Sequence, residues 1–105
     1  MPDWSIKIEG KPATFTPDID GTPTGEPLKV VQGDLVSWNN TTGEQHWPTP
    51  DDPDAYGNFV TNPINPDSSS TAYNIISKAG TTISYHCSIH PEERGKVVVV
   101  NFGEN

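Results

Sequence analysis

GTTISYHCSIHP, Gly80 to Pro91, is the stretch on which the reading of this chain turns. Ile83, Tyr85 and Cys87 stand at alternate positions, so Thr81 to Cys87 reads as a strand with these three side chains on one face. The strand ends at Cys87, and His90 follows three residues later in a turn closed by Pro91. That spacing lets a thiolate and an imidazole converge on one atom. His86 falls on the opposite face of the strand and reads as a surface histidine.

Similar short strands extend outward from this segment. Trp4, Ile6 and Ile8 alternate with Ser5, Lys7 and Glu9, the mark of a half-buried strand. Leu28 to Gln32 is a second apolar run, closed by the turn residues Gly33 and Asp34, and Leu35 to Trp38 is a third. Gly10 to Gly25 is rich in turn residues and reads as connection. Thr71 to Ser77 is β-branched and aromatic, and Lys78-Ala79-Gly80 turns the chain after it. Val97 to Val100 is continuously apolar, like a strand buried on both faces. No window carries a helical stripe. Pro48 to Ser70 is too long for a plain connection and predicts a short helical turn or an edge strand. Six or more short strands separated by Gly and Pro predict an antiparallel sandwich or barrel, in a single domain over residues 1–105.

The chain has 105 residues, with 6 Lys and Arg against 14 Asp and Glu, a net charge of −8. Leu, Ile, Val and Phe make up about a fifth of it, near the border with disorder for a charged sequence. The strand patterns decide for a folded chain. No basic cluster exists to displace counterions, which argues against nucleic-acid binding. No stretch approaches the roughly 20 apolar residues of a membrane span. The single cysteine forbids an internal disulfide. The first residues lack the basic start and apolar run of a signal peptide, so the chain is either cytoplasmic or a mature domain restarted with Met.

Cys87, His90 and the upstream His46 form a mixed soft and borderline donor set. Thiolate favours Cu(I) and zinc, imidazole suits copper and zinc, and a trigonal arrangement of the three is the blue-copper type. A lone cysteine is more often a small buried hydrophobe. A nucleophilic cysteine needs a neighbouring base or cation, and usually a helix start, where Cys87 ends a strand. Trp38, Tyr85 and Ile83 read as core. Trp47 either shields the His46 side or packs the loop. Asp51, Asp52 and Asp54 read as a solvated acidic loop, with a docking patch as the lesser reading.

LVSWNNTTGEQH, Leu35 to His46, resembles the strand and loop of the cupredoxins, the plastocyanin- and amicyanin-like single-copper proteins. Gly80 to Pro91 resembles the partner segment of that family, and Gly95 to Val100 its closing strand. The resemblance runs from about Trp4 to Phe102. It implies an all-β, Greek-key β-sandwich with one copper ion, cycling between Cu(I) and Cu(II), at one end. It also implies equatorial ligands at His46, Cys87 and His90, and an asparagine, Asn40, that ties the two ligand loops together.

One position departs from the family pattern. Members with this loop carry methionine three residues after the second histidine, where this chain has Glu93. The one methionine is Met1. The replacement is open: the Glu93 carboxylate, a water or a backbone oxygen, with Glu44 a further candidate; Glu93 itself reads either as a ligand or, by a small margin, as an exposed side chain that leaves the site open. A carboxylate is harder than a thioether and favours Cu(II), which lowers the potential.

The resemblance implies an electron carrier more than an enzyme, with a redox protein such as a basic cytochrome as partner. The rival reading is an open copper site that oxidises or reduces a small molecule such as nitric oxide, framed by the Pro48–Ser70 segment. Zinc is a lesser occupant of the same donors. The expected compartment is periplasmic or extracellular.

Overall fold

The computed structural model describes residues 2–105. Met1, the methionine set aside above as an axial donor, lies outside the described residues. Among these, nine strands and one short helix follow in chain order. They are β1 (Asp3–Glu9), β2 (Thr14–Pro17), β3 (Leu28–Val31), β4 (Leu35–Asn40), β5 (Pro48–Pro50), α1 (Pro53–Tyr56), β6 (Ser68–Ser69), β7 (Tyr73–Asn74), β8 (Thr82–Cys87) and β9 (Arg94–Val100). One sheet has the order β2-β1-β4-β6, with β7 also on β4; the other has the order β3-β9-β8-β5. The architecture is the all-β sandwich that the strand patterns predict.

Alternation within the strands builds the core. Ile6 and Ile8 of β1, Val36 and Trp38 of β4, Ile83 and Tyr85 of β8, and Val97 and Val99 of β9 are each 1% exposed or less. Aromatic rings join the two sheets. Tyr85 stands edge-on to Phe15 at 5.0 Å and to Trp38 at 5.6 Å, and Trp38 stacks on Phe59 at 4.8 Å. The same alternation makes Asn40 the last inward residue of β4 and Cys87 the last inward residue of β8; both are fully buried.

Four expectations need correction. The sandwich is mixed, because β1 pairs parallel with β4, and β3 with β9. These partners are not consecutive in the chain, which crosses between the sheets to bring them together. Val97 to Val100 is buried on one face only, since Val98 and Val100 lie half-buried on the outer side. The turn-rich stretch after Gly10 contains β2, too short to register as a pattern. Of Thr71 to Ser77 only Tyr73 and Asn74 form a strand. Ile75 instead bonds with Gly33 and Asp34 at the β3–β4 turn, and Ile76 is exposed. The Pro48–Ser70 segment holds both expected features, β5 at a sheet edge and α1. Asp52 caps α1 by accepting the Ala55 amide, with Pro53 in its first turn.

No helix among the described residues is long and apolar enough to cross a membrane.

Gly95 of β9 lies opposite Tyr85 in register. A Cβ there would sit 2.5 Å from the Tyr85 ring, which has nowhere to move. Gly95→Ala should therefore destabilise the fold by about 1–3 kcal/mol in urea unfolding, as overpacking does. Burial also raises the Tyr85 pKa far above the ordinary tyrosine value of 10.0, outweighing the opposing bond from Trp38. A phenol with a raised folded pKa stabilises the fold fully below the unfolded value and loses that contribution as pH climbs above it. Stability should fall from about pH 10 upward, with Tyr85 ionising, by its ultraviolet absorbance, only as the protein unfolds.

Candidate metal centre

β4 and β8 deliver their last inward residues to the same end of the sandwich, and the loops that leave these strands carry the remaining donors. His46 is held like a strand residue. Its amide donates to Ile64 O at 3.2 Å, and Ile64 N donates back to His46 O at 2.8 Å. The turn after Cys87 closes on itself, with Glu93 N donating to His90 O and Cys87 N to Glu93 O, both at 2.9 Å. This brings Glu93 back beneath the ligand loop.

Four donor atoms converge there. Cys87 Sγ lies 3.7 Å from His46 Nδ1 and 3.7 Å from His90 Nδ1. Glu93 Oε1 lies 3.0 Å from His46 Nδ1 and 3.5 Å from His90 Nδ1. All four atoms are within 4.8 Å of one another. Donors roughly 3.5 Å apart at the corners of a tetrahedron surround a centre about 2.1 Å away, the length of a zinc–nitrogen bond. The cluster has the size of a first-row metal site.

Glu93 is 5% exposed, and its Oε1 has no hydrogen-bond partner. A desolvated carboxylate oxygen without a donor is costly, and a bound cation is one of the few things that accounts for it. Its other oxygen, Oε2, accepts the Ala13 amide at 2.8 Å. Of the alternatives for this residue, a side chain pointing to solvent is ruled out by the burial.

The second ring nitrogen of His90 faces outward. Glu44 Oε2 is 3.3 Å from His90 Nε2, and Glu44 Oε1 pairs with Lys11 Nζ at 2.9 Å. The hydrogen bond and charge of Lys11 lower the Glu44 pKa, and Glu44 raises that of Lys11. Glu44 therefore flanks the outer edge of His90 and is not among the converging donors. His90 is 26% exposed at its side chain, while Cys87 is fully buried and His46 is 3% exposed.

The loops are tied differently from the expectation. Asn40 Nδ2 donates to Glu44 O at 2.7 Å and to Ile64 O at 3.0 Å, and Oδ1 accepts the Thr42 amide. Asn40 thus braces the His46 loop against the Ile64 segment. The link to the Cys87 loop is made by backbone: Trp47 N donates to Cys87 Sγ at 3.3 Å, and Ser88 N to Trp47 O at 2.9 Å. Trp47 packs its side chain against the core and donates its indole N–H to Val60 O. His86 does point away from the cluster, with Nδ1 2.6 Å from Asp51 Oδ1. Asp51 also pairs with Arg94, so it and the capping Asp52 are engaged rather than simply solvated.

A cleft of about 620 Å³ opens beside the donors. Its walls are the β1–β2 turn (Gly10–Pro12), the Thr42–Glu44 loop and Glu92, and its floor includes His46, His90 and Glu93. The Pro48–Ser70 segment does not line this cleft and meets the site from behind, through Ile64 paired with the His46 backbone. The parts of the site that pattern reading missed are the amides of Ala13 and Trp47. Backbone donors carry no side-chain signature.

No family model matches the sequence, and no curated protein matches it. Solved structures do match. Amicyanin from Paracoccus versutus (Thiobacillus versutus) is 24% identical over 90% of this chain and 78% of that one, with a TM-score of 0.66. The Cu(I) form of a methionine-to-alanine mutant of amicyanin is 21% identical over 94% and 83%, with a TM-score of 0.64. An oxidised methionine-to-leucine mutant of amicyanin is 24% identical over 90% and 79%, with a TM-score of 0.64. At these identities the likeness is one of fold.

Asn40→Ala should remove the brace of the His46 loop, taking one donor from each of the Glu44 and Ile64 carbonyls, which keep Thr42 Oγ1 and His46 N, and the acceptor of the Thr42 amide. We expect a loss of about 2–3 kcal/mol in unfolding of the metal-free protein. Weaker metal retention, measured by competition with a chelator, should accompany it.

Proposed function

We propose, from a cupredoxin sandwich that gathers one thiol, two imidazoles and one carboxylate at its end, that this protein is a copper-binding electron carrier. The donors are His46, Cys87, His90 and Glu93, around one ion. The observation that carries this reading is Glu93 Oε1, buried without a hydrogen-bond partner beside the two histidine nitrogens. Copper bound by such a set supplies one-electron Cu(I)/Cu(II) chemistry.

The chain's own part is to hold the donors still. Cys87 ends a central strand, and His46 is paired to Ile64 through both its backbone groups. The Trp47 amide bonded to Sγ draws charge from the sulfur and fixes its direction. Donors that do not move between oxidation states keep electron transfer fast. The Glu93 oxygen, harder than a thioether, favours Cu(II) and lowers the potential. His90 has the most exposed edge of the four and is the way out for an electron. A net charge of −8 steers a basic redox partner such as a positively faced cytochrome. Resemblance to the cupredoxins supports a periplasmic or extracellular setting.

A second reading, chemistry on a small molecule such as nitric oxide, draws on the cleft beside His46, His90 and Glu93. The fourth corner of the cluster is already taken by Glu93 Oε1, which favours the carrier. Zinc fits the same four donors, and competition between the two ions for the metal-free protein decides between them.

Copper-loaded protein should show an intense visible thiolate-to-copper band that nitric oxide leaves unchanged. Cys87→Ser should abolish the band and weaken copper binding by more than about a hundredfold, since changes outside the ligands alone cost about 10–100-fold. Glu93→Met should raise the reduction potential. A Cys87→Ser protein with the band and metal content of the parent would overturn the reading.

A further inference from the structure

The two oxygens of Glu93 have different fates. Oε2 accepts the Ala13 amide at 2.8 Å in the interior, across 80 positions of sequence. Oε1 has no hydrogen-bond partner and faces His46 Nδ1 and His90 Nδ1. Carboxylates bind metals through one oxygen or through both. Which mode applies depends on whether the second oxygen is free to turn inward.

Resting on the copper reading above, we propose that the β1–β2 turn, through the Ala13 amide, makes Glu93 a one-oxygen donor to the metal. Ala13 is a positioning residue, and its backbone does the work. An N–H bonded to a carboxylate is among the stronger hydrogen bonds, and breaking it in the interior strands both partners. Chelation by both oxygens requires that break. The amide also draws charge away from the carboxylate, so the remaining oxygen is a weaker donor than a free carboxylate. The result is a closed set of four donors.

The turn is built to hold the amide in place. Gly10 has φ +87°, which a side chain would oppose, and a Cβ there would press on Pro12 O at 3.3 Å. The Ala13 methyl is buried at 5% exposure, and β2 starts at the next residue, paired with β1. Between a glycine-specified turn and a strand ladder, the Ala13 N–H has one direction available, towards Glu93.

Glutamine at position 93 separates this proposal from a free side chain. An amide has a single acceptor oxygen. If the Ala13 N–H holds it, Glu93→Gln turns its NH₂ towards the histidines, and an amide NH₂ offers the metal no donor. We expect Glu93→Gln to bind Cu(II) more than about tenfold more weakly than the parent. Its visible and paramagnetic resonance spectra should match those of Glu93→Ala. A Glu93→Gln spectrum distinct from Glu93→Ala, showing an amide oxygen on copper, would overturn the proposal. Infrared difference spectra with ¹³C-labelled glutamate test the parent protein directly. The separation of the two carboxylate stretches should be the wide one of single-oxygen binding, and it should narrow in Ala13→Pro, which lacks the N–H. A narrow separation in copper-loaded parent protein overturns the one-oxygen assignment and leaves the copper reading intact. A parent that takes up no copper overturns both. In metal-free protein the Ala13 amide proton should resonate downfield and exchange slowly, and lose both properties in Glu93→Ala. An unmoved proton removes the positioning role whatever the metal does.

Discussion

A carboxylate oxygen sealed from water, without a donor, between two imidazole nitrogens and a sulfur is the constraint around which this molecule is arranged. Placing an ionised carboxylate and a thiolate together in the interior is unfavourable for two reasons, desolvation and mutual repulsion. One positive ion at their centre would reverse both. The fold supplies the stability that lets such a cluster persist, and a bound cation would supply the charge that makes it favourable. The end of the sandwich is thus organised around a position that the chain itself does not fill.

The supply of stability is visible just beneath the cluster. Tyr85 lies two residues before Cys87 on the same face, locked by Phe15, Trp38 and Phe59. Gly95 on the neighbouring strand gives its ring room. A ring pinned on four sides pins its own backbone, and the sulfur two residues on inherits that rigidity. The other wall is held by Asn40, whose amide group satisfies the carbonyls of two loops at once. Burying such a side chain is favourable only because both ends of it are bonded. Rigidity at Cys87 comes from packing, and rigidity at His46 comes from hydrogen bonds.

Much of this was legible before any coordinates. Strand alternation alone placed Ile83, Tyr85 and Cys87 inside and turned His86 out. Glycine and proline marked the turns, and the spacing of Cys87 and His90 marked the donor loop. What stayed hidden shares a physical cause. β2 is four residues long, too short for a period to show, and the parallel pairings of β1 with β4 and β3 with β9 are non-local. The role assigned to Asn40 was right in kind, a brace between loops, and wrong in its object, because a polar side chain gives no hint of which distant carbonyls it will meet. The burial of Glu93 was open for the same reason. Its neighbours Glu92 and Arg94 are exposed, and only the arrival of the β1–β2 turn overhead covers it.

The edge of His90 carries the last step. Three of the clustered side chains are sealed and the fourth, His90, reaches the surface, so the cluster meets solvent through one imidazole. That imidazole is flanked by Glu44, which Lys11 holds in its ionised form. The pair is exposed and adds little to stability. Its effect is on charge at the contact. A carboxylate beside the outer nitrogen favours a partner that brings a positive group to this spot, and the overall charge of −8 acts in the same direction at longer range. Local and global charge agree in sign at this spot, while the carboxylate of Glu93 is buried away from it. Two glutamates near one histidine therefore sit in different settings, and burial is what divides them: the covered one faces the donor cluster, the exposed one faces solvent at the edge of His90.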